Sequence, residues 1–264
     1  MQGGGAATAS PAARVLFVRH GKQIRSGSRE TERDRCDPPL STQGTQQAEL
    51  LARHLSAEEA AAAAASGAGD SACICVTSPM RRALMTAVPT ATAMGCRLVC
   101  HGGLFEYGNA GLAQPGSTPD ELRADCAELE FVGFSATGHW DYQGTAQKEN
   151  EPDARLRAGR FAEWLQADLL SSHRPLTIVF AHQTYLDLVL RLLLEPETGA
   201  VSWSYGSNKH KFRHTACAEL EFATTIGATA GGGGTPLWQL IRENDARHLE
   251  RFEEVMKEAS NAFD

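Results

Sequence analysis

Val15-Leu16-Phe17-Val18-Arg19-His20-Gly21 is an apolar, β-prone run that halts on an arginine, a histidine and a glycine. Such a run reads as a buried strand that delivers polar side chains to its C-terminal edge. In open α/β sheets that edge is where ligands bind. Imidazole is a nucleophile at neutral pH, and a neighbouring guanidinium suits an anionic substrate such as a phosphate. Three residues alone are weak evidence, and their partners at later strand ends make it strong.

The same punctuation recurs. After a first strand at Arg14–Val18, the segments Ala72–Thr77, Arg97–Cys100, Leu176–Ala181, Ala216–Phe222 and Leu237–Arg242 read as strands. Helical patterns fall between most of them. Thr42–Leu55 carries Ala48, Leu51, Ala52 and Leu55 at i, i+3, i+4, i+7 spacing, with Ser41 or Thr42 as N-cap. Pro79–Met94, Ala154–Leu170 and Thr184–Leu194 are further helices, the first with a favourable proline at its start. Strands alternating with helices predict a three-layer α/β/α sandwich with a mostly parallel central sheet.

Some stretches interrupt the pattern. Glu58–Ser71 is Ala-rich, then Gly- and Ser-containing, and reads as an extension of the helix before it that becomes a surface loop. Tyr107–Asp153 has little periodicity beyond a short helix at Asp120–Glu128, and its length suits an insertion over the active site. Ala228–Gly234 reads as a hairpin tip rather than a phosphate cradle, because no helix and no Lys-Ser/Thr pair comes after it. Residues 1–12, rich in Gly, Ala, Ser and Pro, read as a disordered tail, and 13–255 as one domain with 107–153 as its cap.

Apolar residues at 42% and charged residues at 22% fit a globular enzyme and exclude general disorder. A net charge of −7 argues against nucleic acid or an anionic membrane as the main partner, while leaving room for a locally basic pocket. No apolar run is long enough to span a bilayer, and the N-terminus lacks the basic and apolar regions of a secretory leader. A cytoplasmic location is therefore expected. The seven cysteines, Cys36, Cys73, Cys75, Cys96, Cys100, Cys126 and Cys217, contain no paired Cys-x-x-Cys set. Buried, reduced thiols are expected, with a zinc site as the alternative.

The strand ends supply a chemical set. The first presents Arg19, His20 and Gly21, the second leads into Ser78-Pro79-Met80-Arg81-Arg82, the third into Leu104-Phe105-Glu106-Tyr107-Gly108, and the fourth ends at His182. A parallel sheet would bring these ends to one rim. A neutral His20 would attack phosphorus and form a phosphohistidine. Arg19 and Arg82 would hold the equatorial oxygens, and His182, if protonated, would add another donor. Glu106 would protonate the leaving oxygen and then deprotonate water. Arginines neutralise the charge, so neither metal nor cofactor is expected.

These residues resemble a known family. Arg19-His20-Gly21, Pro39-Leu40-Ser41-Thr42-Gln43-Gly44 with Gln47-Ala48, Ser78-Pro79 with Arg82-Ala83 and Thr86-Ala87, Leu104-x-Glu106, Ala181-His182 and the closing Leu237–Leu249 are similar, in this order, to motifs of the histidine phosphatase superfamily, phosphoglycerate-mutase-like branch. The resemblance implies Glu106 as the acid and a small phosphorylated substrate. It departs in places. Ser26, with Arg25 beside it, stands where the family often has an asparagine that contacts phosphate, and Gln183 comes after the second histidine in place of glycine. Arg25, Ser26, Gly21 and Gln183 are taken as substrate-binding residues, and Lys22 and Gln23 as rim residues. Tyr107-Gly108-Asn109 replaces the Arg-His-Tyr-Gly of glycolytic mutases, and no arginine pair comes after it. A mutase must retain its product for rephosphorylation, so a phosphatase is expected, with a phosphoglycerate mutase or an inactive phosphate-binding member as alternatives. Of the other histidines, His101 and His139 are candidates for lining the pocket, and His54, His173, His210, His214 and His248 read as surface or structural.

Overall fold

A computed structural model describes residues 13–28, 31–66, 73–109, 116–134, 148–172, 174–225 and 235–254. The strands are β1 (Ala13–Arg19), β2 (Cys73–Thr77), β3 (Arg97–His101), β4 (Glu130–Val132), β5 (Leu176–Ala181), β6 (Cys217–Thr225) and β7 (Thr235–Asp245). The helices are α1 (Glu32–Cys36), α2 (Thr42–Ser66), α3 (Arg81–Met94), α4 (Pro119–Asp125), α5 (Glu151–Ser172), α6 (Gln183–Leu194) and α7 (Gly199–Ser202).

All strands join one seven-stranded sheet in the order β4-β3-β2-β5-β1-β6-β7. From β4 to β1 the pairings are parallel, and β6 and β7 add an antiparallel flank. The central strands bury both faces, so their side chains alternate between two cores rather than between core and water. Val15, Phe17, Ile74, Val76 and Val179 pack on one side with Phe161 and Leu165 of α5 and Leu186, Leu188 and Val189 of α6. Leu16, Val18, Cys75, Ile178 and Phe180 pack on the other with Leu51 and Leu55 of α2 and Leu84 and Ala87 of α3. The expected three-layer arrangement is the one observed.

Several boundaries differ from expectation. The helix from Thr42 runs to Ser66, in line with its Ala-rich continuation. Helix α3 starts at Arg81, with Pro79 ahead of it. The stretch 107–153 is partly built into the sheet, because β4 pairs in parallel with β3 at the edge. Cys73 and Cys96 are joined by a disulfide, with Cα atoms 5.2 Å apart. The expectation of reduced thiols throughout thus fails for this pair; Cys75, Cys100 and Cys217 are buried and free, and Cys36 is exposed. The tail at 1–12 and the hairpin tip Ala228–Gly234 lie outside the described residues. No helix among the described residues is long and apolar enough to cross a membrane.

Candidate active site

The order β3-β2-β5-β1 sets the C-terminal ends of these parallel strands side by side. The backbone locks them together just past their ends. His20 N donates to Ala181 O at 3.0 Å, and Ser78 N donates to Phe180 O at 2.9 Å. The loop after β1 is then held by the first turn of α2. Ser41 caps that helix, its Oγ accepting from Gly44 N at 3.1 Å and donating to Lys22 O at 2.9 Å. Gln47 Oε1 accepts from Lys22 N at 2.9 Å, and Thr86 Oγ1 on α3 accepts from Gly21 N at 3.0 Å.

His20 is buried, at 5% exposure. Its Nδ1 lies 2.6 Å from Gly21 O, and a carbonyl only accepts, so Nδ1 carries the proton and Nε2 keeps its lone pair. Arg82 Nε donates to that Nε2 at 3.2 Å. Burial holds the His20 pKa well below the usual histidine range, with Arg82 and Arg19 acting in the same direction. The ring is thus neutral, with the lone pair of Nε2 against a cation.

Arg19 fixes one arm by donating from Nη1 to Phe212 O at 2.8 Å. Its buried Nε finds no hydrogen-bond partner among the described residues. His182 is fully buried, with Nε2 2.8 Å from Ser78 Oγ and Nδ1 likewise unpartnered. Its ring centroid is 5.1 Å from that of His20. Burial first, then Arg82, His20 and Arg19, push its pKa well below the ordinary value, which disfavours the protonated form that would add a donor. The Arg19 Nε–H is a donor open to an acceptor from outside the protein.

Glu106 reaches the cluster from the turn after Gly102–Leu104. Its Oε1 accepts from Tyr107 N at 2.9 Å and from Tyr185 N at 3.1 Å, and its Oε2 from Thr184 N at 3.3 Å. The last two amides belong to the open N-terminus of α6, which His182 precedes as N-cap. Burial raises the Glu106 pKa, and Arg82 and the amides oppose that rise without cancelling it. A carboxyl group with a raised pKa is suited to holding a proton until a leaving group needs it.

Some site residues carry no sequence signal of their own. Asp37 is buried, accepts from Arg81 N with both oxygens at 3.0 and 3.1 Å, and stands 3.8 Å from Arg82 Nη1. Burial raises its pKa to about 6 against the pull of these donors. Its place just before Pro38-Pro39-Leu40 is the only hint in the sequence. Ser78 and Thr86, by contrast, belong to the motif quoted around Arg82, in the segment that links β2 to α3 and its first turns. His214, expected to be surface or structural, has its ring centroid 6.0 Å from that of His20. It arrives on the loop that feeds β6, and no local pattern announces it. Thr215 holds that loop in a left-handed conformation (φ 56°), uncommon for a β-branched residue. Its N donates to Arg19 O at 3.0 Å, and its Oγ1 lies 2.9 Å from His248 Nε2.

Arg25 is exposed, ahead of the single turn that Ser26 opens. Gln183, taken as substrate-binding, sets both ends of its amide on the 210–212 loop. Its Nε2 donates to His210 O at 2.9 Å and its Oε1 accepts from Phe212 N at 2.7 Å. His101 is buried against Phe161 and Trp164 and caps its own turn. His139 and His173 lie outside the described residues. Among the described residues no group of three or more His, Cys, Asp or Glu is placed to hold a metal ion.

The sequence matches the model of the histidine phosphatase superfamily (branch 1) over residues 15–210. No curated protein matches it. Solved structures share the fold. A mycobacterial hydrolase is 21% identical with a TM-score of 0.54, covering 89% of this chain and 99% of its own. A mycobacterial glucosyl-3-phosphoglycerate phosphatase is 22% identical with a TM-score of 0.51, covering 88% and 99%. The ecdysone phosphate phosphatase of Bombix mori, in complex with tungstate, is 15% identical with a TM-score of 0.56, covering 83% and 97%.

Proposed function

The chain belongs to the histidine phosphatase superfamily, and from that premise we propose that it is a metal-independent phosphomonoesterase that hydrolyses a phosphomonoester of a small metabolite through a phosphohistidine at His20. The observation that carries this is the state of His20: Nδ1 tied to Gly21 O at 2.6 Å, with Nε2 left as a lone pair 3.2 Å from Arg82 Nε. The unpartnered Arg19 Nε supports it as a donor for a phosphoryl oxygen. The phosphatase names of solved relatives agree with hydrolysis.

In the first step the Nε2 lone pair forms the N–P bond and the P–O bond to the leaving group breaks. The proton of Glu106 goes to the departing oxygen. Arg19 and Arg82 hold the equatorial oxygens where charge accumulates, and the rings of His182 and His214 wall the same space. In the second step Glu106 takes a proton from water, the water oxygen attacks phosphorus, and the N–P bond breaks. This releases inorganic phosphate and restores neutral His20. Nothing in the Tyr107-Gly108-Asn109 segment supplies the extra cations that would retain a product for return transfer.

The test is hydrolysis of p-nitrophenyl phosphate in EDTA, and then of a panel of phosphorylated metabolites. Turnover with release of inorganic phosphate is expected, and His20→Ala abolishes both turnover and acid-labile labelling. Absence of activity from about pH 5 to about pH 8 on the whole panel overturns the proposal, and labelling retained in His20→Ala overturns the nucleophile.

A further inference from the structure

Arg157, on α5, is one of the largest fully buried side chains of the molecule, and neither step of the phosphoryl transfer uses it. Every contact it makes leads to the turn that carries Glu106. Its Nη1 donates to Gly103 O at 2.7 Å and to Phe105 O at 3.0 Å, the carbonyls on the N-terminal side of Glu106. Its Nε and Nη2 form a two-point pair with Glu149 at 2.7 and 2.8 Å. Glu149 Oε2 then accepts from Gly108 N at 3.2 Å, on the C-terminal side of Glu106. One face of the guanidinium covers the Phe105 ring at 3.5 Å, and it lies 4.1 Å from the ring of Tyr185, whose amide holds the Glu106 carboxylate. A planar, five-donor cation is the side chain that can grip carbonyls, a carboxylate and two rings at once.

We propose that Arg157, braced by Glu149, is the positioning residue of the proton donor: it fixes the backbone on both sides of Glu106 and the ring of Tyr185 behind it, so that the carboxyl meets the leaving oxygen. Arg157 itself touches neither substrate nor phosphorus. A buried ion pair gives little net stability over apolar packing, which leaves alignment as its use. The inference rests on the phosphatase reading with Glu106 as acid.

A leaving group that needs no proton separates alignment of the acid from general damage. The experiment compares kcat/KM, which reports the step that phosphorylates His20, for 2,4-dinitrophenyl phosphate and for glycerol phosphate. The proteins are wild type, Glu106→Gln, Arg157→Met and Glu149→Gln. Glu106→Gln sets the scale, raising the dinitrophenyl-to-glycerol ratio by about 100-fold, the usual worth of a general acid. Arg157→Met and Glu149→Gln are expected to raise the same ratio by about 10-fold or more. Should Arg157→Met fail to fold, the nearly isosteric Glu149→Gln answers alone. An equal loss on both substrates, or no loss on either, overturns the positioning role. A wild-type protein inactive on both substrates, or an unchanged ratio in Glu106→Gln, instead removes the phosphatase reading or the acid assignment beneath it.

Discussion

Arg82 Nε stands 3.2 Å from His20 Nε2, so a guanidinium N–H occupies the direction along which the imidazole lone pair would attack. The contact keeps that nitrogen unprotonated and places a cation where the phosphoryl oxygens must lie. Asp37, 3.8 Å from the other end of the guanidinium, holds its orientation. Arg82→Lys keeps a charge but loses the planar fork. Its kcat/KM for p-nitrophenyl phosphate should fall on the order of 100-fold or more, as for other losses of a preorganised donor. Steady-state kinetics on a variant shown to be folded by circular dichroism decides this, and a value within about tenfold of wild type counts against it.

The pH profile is set by two opposite shifts. Burial and then Arg82 hold His20 neutral well below the usual histidine range, so as the proposed nucleophile it would not switch off as pH falls through 6.5. Burial raises Glu106, so as the proposed acid it would keep its proton further toward neutrality and lose it as pH rises through that raised value. The optimum should lie on the acid side of neutral, and the alkaline decline should vanish in Glu106→Gln. A wild-type profile still rising above pH 8 would contradict this ordering.

The core of this site was legible because each of its members comes after an apolar strand that ends abruptly. Arg19 and His20 close β1, His182 closes β5, and Arg82 and Glu106 come one turn beyond β2 and β3. What escaped depends on contacts distant in sequence. Strand β4 spans only Glu130–Val132 at the sheet edge, too short for a periodic signal. The Cys73–Cys96 bridge joins the start of β2 to the loop after α3, a proximity that exists only once both elements have docked. Gln183 reads as a ligand from its place beside His182, but its amide complements the backbone of the 210–212 loop. His214 reaches His20 only because β6 lies antiparallel beside β1.

Acid should weaken the fold through histidines buried in the neutral form. His248 is hydrogen-bonded to Thr215 and stacked on His54, with ring centroids 5.7 Å apart, and burial lowers its pKa to about 4. In the unfolded chain it titrates at its ordinary value near 6.5. The unfolded state therefore binds the extra proton between these values, and stability present above pH 6.5 is lost as pH falls toward 4. His214, also at about 4 through burial, Arg19 and Lys22, acts in the same sense. Asp37, raised to about 6, acts in the opposite sense over part of this range. Thermal midpoints measured from about pH 7 to about pH 4.5 should fall less steeply in His248→Gln than in wild type, and equal slopes would remove His248 from the explanation.

Two glycine-to-alanine substitutions should move stability in opposite directions. A Cβ at Gly44 would sit 2.0 Å from Lys22 O, a backbone atom fixed by Ser41, and Gly21 meets Gly44 O almost as closely, at 2.7 Å. Neither side can yield without moving the segment that carries His20. Gly44→Ala should cost about 1–3 kcal/mol or more as an overpacking change. It should also lower kcat at temperatures where the variant is fully folded, because relief of the clash shifts Gly21 off Thr86. Gly159, inside α5, has nothing within 4 Å of its added Cβ and an ordinary helical backbone. Gly159→Ala should stabilise by about 0.5–1 kcal/mol with activity unaltered, since alanine loses less entropy in a helix. Urea melts of both variants beside wild type test the pair, and a stable, fully active Gly44→Ala would show that the first turn of α2 does not set the position of the nucleophile loop.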